Sequence, residues 1–109
     1  MASTPSIPEI DVLIHEPARL RVLALLSRVD QADFMFLLRQ TGLTRGNLSV
    51  QMSRLEQAGI VALDRRLEGN RSRTAYFLTA EGWEALKDYR RAMAQLVAGF
   101  PESRRRTDQ

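Results

Sequence analysis

The chain has 109 residues, 44% of them hydrophobic and 27% charged, which is the composition of a single folded domain rather than of a disordered segment. It has no cysteine and one histidine, so disulfides, thiolate metal sites and cysteine nucleophiles are excluded. The sequence also lacks a nucleophile elbow, a phosphate-binding loop and a cluster of metal ligands. We therefore expect no enzyme activity, no catalytic residues, no cofactor and no metal.

Positive charge is concentrated in the middle of the chain, although the net charge is only +3. Residues 39–73 contain seven arginines and three acidic residues, a net charge of +4. Arginine binds phosphate and guanine through a bidentate fork. This segment therefore has the charge expected of a nucleic-acid-binding face, although a merely solvated surface would have the same composition.

The two ends of the chain have no apolar periodicity. We expect a disordered N-terminus at residues 1–6, one domain at residues 7–100 and a flexible basic tail at residues 101–109. The first residues have neither the basic nor the apolar region of a signal peptide, and no apolar run approaches the roughly 18 residues of a membrane span. We therefore expect a cytoplasmic protein.

A short helix is predicted at the start of the domain, because four apolar residues recur at helical spacing. These residues are Ile7, Ile10, Leu13 and Ile14. The helix should end near Pro17, because proline disfavours a helical conformation in the residue before it. Pro17 can itself occupy the first position of a second helix, which we expect to continue to about Val29.

Two further helices separated by a turn at residues 41–43 are predicted next. Asp33 is a suitable N-cap for the first of them, and Gly42 ends it. Thr44 is a suitable N-cap for the second, which Gly59 ends. Two short helices joined in this way form a helix-turn-helix.

The second of these helices, at about residues 44–58, combines an apolar stripe with a polar side that suits a DNA groove. Asparagine and glutamine can bond adenine, arginine can bond guanine, serine can bond a base or a phosphate, and an exposed valine can contact the thymine methyl group. The exposed start of the helix can also receive a phosphate. Any solvated helix would likewise have a polar side. The candidate DNA-binding residues here are Thr44, Arg45, Asn47, Ser49, Val50, Gln51 and Arg54.

Alternating apolar residues after Gly59 predict two strands joined by a turn at residues 68–72. The tip of this hairpin is cationic, so we expect a wing at about residues 65–73 that lies along the DNA backbone or minor groove and gives salt-dependent affinity. The alternative is that the charges only keep the tip soluble. The candidate wing contacts are Arg65, Arg66, Asn70, Arg71 and Arg73.

A last helix, at about residues 80–100 and capped by Thr79, carries apolar residues at alternating spacings of three and four. Its length of roughly 30 Å exceeds what a small core can cover, and an exposed apolar stripe invites aggregation. We therefore expect a homodimer, whereas Trp83 and Leu86 should be ordinary core residues. The candidate interface residues are Ile10, Leu13, Ile14, Tyr89, Met93, Leu96 and Phe100.

These elements in this order predict a mainly α fold with a small β-hairpin (α+β), a winged helix-turn-helix with extra terminal helices for dimerisation. The chain resembles the MarR/ArsR-like winged-helix transcriptional regulators over about residues 10–98. The segments that carry the resemblance are residues 14–26 (IHEPARLRVLALL), 32–37 (ADFMFL), 43–49 (LTRGNLS), 55–61 (LEQAGIV) and 73–82 (RTAYFLTAEG).

This resemblance implies a homodimer on a roughly palindromic operator, with the helix of residues 44–58 in the major groove and the wing beside it. It also implies which residues face the DNA, namely Thr44, Arg45, Asn47, Ser49 and Gln51 in the helix and Arg71 and Arg73 in the wing. Val50 departs from the family, whose members often have a basic or polar residue there. The Cys and His clusters of the metal-sensing branch are absent from the sequence.

The function predicted from the sequence is therefore a sequence-specific, double-stranded-DNA-binding transcriptional regulator, most simply a repressor. One alternative is a winged-helix protein-protein interaction module without specific DNA binding. Another is a double-stranded RNA binder, although the deep and narrow major groove of RNA excludes a reading helix. The sequence leaves open whether a small-molecule effector exists.

Overall fold

The computed structural model describes residues 6–104, apart from the side chains of residues 67 and 68. Of the two predicted loose ends, residues 1–5 and 105–109 lie outside this range. Within it, the elements in chain order are α1 (Pro17–Leu26), β1 (Ala32–Asp33), α2 (Phe34–Thr41), α3 (Arg45–Gln57), β2 (Val61–Glu68), β3 (Arg71–Leu78) and α4 (Ala80–Ala98). This architecture confirms the predicted mainly α fold with a helix-turn-helix and a β-hairpin wing.

The helix predicted before Pro17 is wrong, because this segment is irregular and contains a turn at residues 12–14. The Asp11 carboxylate accepts a hydrogen bond from the backbone N–H of Leu13 at 2.9 Å, and such a local bond competes with helix formation. A segment between two prolines, at positions 8 and 17, is also too short to form a stable helix by itself. Of the two extra terminal helices that were predicted, the described residues therefore contain the C-terminal one alone.

Helix α1 begins at Pro17, as predicted, behind an N-cap that the sequence pattern did not reveal. The Glu16 carboxylate accepts hydrogen bonds from the backbone N–H groups of Arg19 at 2.9 Å and Ala18 at 3.1 Å. These two bonds, with that to Arg19 as the larger cause, lower the pKa of Glu16. The helix ends at Leu26 rather than at about Val29, because the chain turns at Ser27.

The predicted ends of the helix-turn-helix are confirmed by their caps. The Asp33 carboxylate accepts from the backbone N–H of Phe36 at 2.8 Å, and the Thr44 hydroxyl accepts from that of Asn47 at 3.1 Å. Gly42 ends α2 with a φ of 71°, in the left-handed region that glycine adopts without strain. The turn that sets the angle between α2 and α3 is therefore encoded locally.

The sheet has three strands within the described range, in the order β1-β3-β2. Strands β2 and β3 pair antiparallel from Val61 opposite Leu78 to Glu68 opposite Arg71, so Gly69 and Asn70 alone form the loop. This loop is shorter than the predicted turn at residues 68–72. Strand β1, which was not predicted, pairs with β3 through residues 32 and 33 and joins the start of α2 to the wing.

The core lies between α1, α2, α3 and the base of the hairpin, and α4 packs against it with its first half. The buried side chains at its centre are Ile14, Val22, Leu23, Leu26, Leu37, Leu48, Met52, Leu55 and Val61. Gly82 lets α4 approach closely, because a Cβ there would overlap the carbonyl oxygen of Ile60. No helix in residues 6–104 combines the length and the apolar character that a bilayer span requires.

Candidate nucleic-acid interface

Helix α3 presents a continuous polar face to solvent. Its buried side is formed by Leu48, Met52 and Leu55, which pack in the core as predicted. The side chains exposed on its other side and at its start are those of Thr44, Arg45, Asn47, Ser49, Val50, Ser53 and Arg54. These residues offer hydrogen-bond donors, acceptors, positive charge and one apolar contact, which are the groups needed to bind base edges and phosphates.

Gln51 does not share this exposure, and the expectation that it faces outward is wrong. Its side chain is only 8% exposed, because positions 48, 51, 52 and 55 form one side of a helix at the spacing i, i+3, i+4 and i+7. Its Oε1 accepts from Nη1 of Arg19 at 3.1 Å, and its Nε2 donates to Oδ1 of Asn47 at 2.9 Å. The buried amide is thereby satisfied at both ends.

The start of α3 is open to an approaching phosphate. Gly46 lies in the first turn, and a Cβ at this position would have no side chain and no more distant part of the chain within 4 Å. The Nη2 atom of the neighbouring Arg45 lies at 3.6 Å from the sulfur of Met35 on α2. The first backbone N–H groups of α3 and the positive end of the helix dipole therefore lie beside an exposed guanidinium.

The wing arginines divide between two faces of the hairpin. Side chains of directly paired residues lie on one face, and those of neighbours along a strand lie on opposite faces. Arg66 pairs with Arg73, and Arg71 lies two residues before Arg73, so these three share a face, while Arg65 pairs with Thr74 and lies on the other. The structure therefore does not gather all five predicted wing residues into one patch.

Acidic side chains compensate for the close pair of arginines. The Nε of Arg66 lies 3.0 Å from Oδ2 of Asp64, and Nη2 of Arg73 lies 3.9 Å from Oδ2 of Asp33. These contacts lower the repulsion between Arg66 and Arg73 across the hairpin. The Asp64 and Asp33 carboxylates therefore reduce the positive charge that Arg66 and Arg73 offer to a phosphate backbone.

On the opposite face of the hairpin, Tyr76 packs against the core. Burial raises the pKa of its phenol, and the Glu56 carboxylate adds to this, whereas Arg65 acts in the opposite direction. This face of the wing is thus tied to the core and to the C-terminal end of α3. The face with Arg66, Arg71 and Arg73 is the one with several cationic side chains.

A second surface lies between α1 and α4, where an open and mainly apolar groove of about 890 Å³ separates the two helices. Its wall on α4 continues into Val97, which is 52% exposed, and the helix is followed by Phe100, which is 64% exposed. Trp83 is 47% exposed at the rim, so its expected place in the core is wrong. The side chains that line the groove are Leu20, Leu23, Ala24, Ser27, Trp83, Glu84, Leu86, Lys87, Tyr89, Arg90, Met93, Ala94 and Val97.

The N-terminal residues proposed for a dimer interface have other places in the structure. Ile14 is completely buried in the core of its own chain, so its assignment to a dimer interface is wrong. Leu13 also packs partly against this core. His15, between these residues and α1, bonds through Nδ1 to the hydroxyl of Tyr89 at 2.8 Å. The segment therefore anchors α4 within one chain. Of the N-terminal residues predicted to form the dimer interface, Ile10 is the one that lies outside that core cluster.

Comparison with known proteins gives the class to which this fold and this charged surface belong. Residues 18–97 match the winged helix DNA-binding domain family. An uncharacterised protein of Methanocaldococcus jannaschii is 30% identical over 84 residues, which are 77% of this chain and 91% of that protein. The chain therefore belongs to the winged helix DNA-binding domain family, a family of DNA-binding proteins rather than of enzymes.

Solved structures place it among transcriptional regulators. A transcriptional regulator homologue from Pyrococcus horikoshii is 26% identical, with a TM-score of 0.73 over 80% of this chain and 86% of that one. The transcriptional repressor CouR, in a structure bound to a 23-mer DNA duplex, is 26% identical, with a TM-score of 0.63 over 72% of this chain and 54% of that one. The protein is a winged-helix transcriptional regulator of the kind that the sequence resembles.

Proposed function

We propose that this regulator is a repressor that binds a palindromic operator as a homodimer. Helix α3 of each copy enters the major groove, and the wing lies on the adjacent backbone or minor groove. The observation that carries this proposal is the exposed polar face of α3, which is continuous with the open N-terminus of the helix. The likeness to CouR, a repressor whose structure contains a DNA duplex, supports it.

The contacts that α3 and the wing make with DNA are of two kinds: those that determine sequence specificity and those that give affinity. Asn47, Ser49, Val50 and Arg54 lie along the exposed side of α3, where they reach base edges once the helix is in the groove. The start of α3 binds a phosphate, and the wing arginines bind others, so their contribution falls with salt. The exposed side chains of α3 therefore form the surface that reads the base sequence, and the wing adds electrostatic affinity for the backbone.

The homodimer is proposed from the apolar surface of α4. A second copy of α4 is the occupant that fits the groove between α1 and α4, because α4 lines one wall of the groove as far as Val97 and is followed by the exposed Phe100. A two-fold axis brings these two features together reciprocally, as in isologous dimers. Burying each of these side chains contributes up to about 1.5–3 kcal/mol. The interface then includes Met93, Leu96 and Phe100, with Tyr89 at its inner edge.

Two charge reversals test the proposed DNA-binding surface. Arg45→Glu at the start of α3 and Arg71→Glu in the wing should each abolish binding to a duplex selected by the wild-type protein, because a phosphate then meets a carboxylate. Arg91→Glu is the matched control, since Arg91 is exposed on α4 and does not line the groove. Fluorescence anisotropy of the labelled duplex gives the affinities, and circular dichroism verifies folding. Equal binding by all three variants would contradict the proposal, because the duplex would then be bound through a surface other than α3 and the wing.

A further inference from the structure

Three hydrogen-bonded side chains connect the buried side of α3 with its exposed face. The Arg19 guanidinium on α1 is held by the carbonyl oxygen of Leu13 through Nε and by Gln51 Oε1 through Nη1 at 3.1 Å. Its side chain is only 12% exposed. Gln51 then donates from Nε2 to Oδ1 of the exposed Asn47 at 2.9 Å. We call the set of Arg19, Gln51 and Asn47 the amide relay.

The chemistry of arginine determines the direction of every bond in the amide relay. A guanidinium carries donors and no acceptor, so Gln51 must turn its carbonyl oxygen toward Arg19. The Gln51 Nε2 group, which is a donor, therefore faces Asn47. Asn47 must in turn present Oδ1 inward, and its Nδ2 group, with two donors, is the end directed to the exposed side of α3.

We propose that Arg19 and Gln51 are positioning residues that make Asn47 a hydrogen-bond donor to the operator, so that α3 selects guanine over adenine at one position. The inference rests on the proposed function, because it requires α3 to lie in the major groove. Guanine presents two acceptors there, O6 and N7. The bidentate contact of asparagine with adenine instead needs both Oδ1 and Nδ2 to face the base, and the bond from Gln51 turns Oδ1 inward.

The amide relay also lowers the entropy that Asn47 loses on binding. A side chain already held in one rotamer by two packed neighbours has less conformational freedom to lose than a free one. Arg19 is itself fixed by the Leu13 carbonyl and by Glu16, whose Oε2 lies 3.9 Å from its Nε. Base selection at this position therefore depends on Arg19 of α1, which does not itself enter the DNA groove.

The decisive substitution is Gln51→Glu, which keeps the size of the side chain and its bond to Arg19. A carboxylate is an acceptor only, so Asn47 must turn Nδ2 inward and Oδ1 outward. Asn47 then accepts from a base donor, the N6 of adenine or the N4 of cytosine. The matched control is Gln57→Glu, the same change at an exposed position of the same helix.

The experiment is selection from a random pool of DNA duplexes with the wild-type protein, Asn47→Ala, Gln51→Glu and Gln57→Glu. Asn47→Ala identifies the position that Asn47 reads, because the preference at that position alone should fall. There we expect the wild type to favour guanine over adenine about tenfold, and Gln51→Glu to remove or reverse this preference. Gln57→Glu should retain it. Since the readout is the base preference at one position, a general loss of affinity from the added negative charge does not imitate it.

Several outcomes would overturn the inference. If Asn47→Ala relaxes one position and Gln51→Glu leaves the preference there intact, or if Asn47→Ala relaxes none, the amide relay does not act and the proposed function stands. A wild-type protein that selects no consensus overturns the proposed function together with this inference. Should Gln51→Glu fail to fold by circular dichroism, Gln51→Met and Arg19→Met, which cut the relay without adding charge, must relax the same position.

Discussion

Replacing Arg71 with glutamine should reduce the salt dependence of operator binding without changing the sequence that is bound. Arg71 is exposed at the end of the hairpin, on the face that also holds Arg66 and Arg73. Each phosphate neutralised by a cation contributes about 0.9 to the slope of log affinity against log salt concentration. In a dimer the residue acts twice, so Arg71→Gln should lower the magnitude of the slope by about 1.8.

The matched comparison is Arg66→Gln on the same face of the wing. The Arg66 guanidinium lies 3.0 Å from the Asp64 carboxylate, which already neutralises part of its charge, so its effect on the slope should be clearly smaller. Anisotropy titrations of one duplex at several salt concentrations measure both slopes. An unchanged slope in Arg71→Gln, or a changed base preference, would refute the assignment of the wing to the DNA backbone.

Four further predictions concern the start of α3, the dimer surface and two helix caps. Gly46→Ala should stabilise the free protein by about 0.5–1 kcal/mol in thermal melts, because the site has room for a Cβ, and should weaken DNA binding, because the added methyl group obstructs the phosphate at the start of α3. Phe100→Asp should yield monomers in sedimentation and weaken operator binding, since a carboxylate cannot be buried unpaired at a two-fold interface. Thr79→Ala should destabilise the fold by about 1–2 kcal/mol, because the hydroxyl accepts from the backbone N–H of Gly82 and donates to the carbonyl oxygen of Gly59. Glu16→Gln should flatten the acid side of the stability profile: the pKa of Glu16 is lowered in the folded state, so its contribution is complete at neutral pH and is lost as the pH falls through the folded pKa.

Each of these has a result that would contradict it. For Gly46→Ala it is unchanged DNA affinity, and for Phe100→Asp it is a dimer of wild-type strength. For Thr79→Ala it is an unaltered melting temperature, with Ser103→Ala as an exposed control near the end of the described chain. For Glu16→Gln it is an acid profile that matches the wild type in denaturant titrations at several pH values.

The parts of the fold that the sequence predicts well are those determined by neighbouring residues. Asp33 and Thr44 cap the helices that follow them, and Gly42 ends α2, because each acts within one turn of its own position. Strand β1 was missed because two residues have no periodicity. The helix predicted before Pro17 is wrong because the two prolines and the turn at Asp11 override the helical spacing of the apolar residues.

The site could be predicted where exposure follows from helical spacing, and not where it depends on a distant contact. The exposed face of α3 follows from the positions of Leu48, Met52 and Leu55. The burial of Gln51 follows from the same spacing, but its partner Arg19 lies 32 residues earlier, and nothing in a single sequence joins them. The prediction of Ile14 at a dimer interface is wrong for the same reason, because its burial depends on how α1 and α3 pack.

The central claim is that two copies of the chain bind a palindromic operator through α3. Selection of duplexes from a random DNA pool at near-physiological salt, followed by determination of the mass of the complex, tests it most directly. We predict a palindromic consensus with half-sites about one helical turn, roughly 34 Å, apart and two chains on each duplex. A consensus without symmetry bound by one chain, or no consensus at all, would contradict the account.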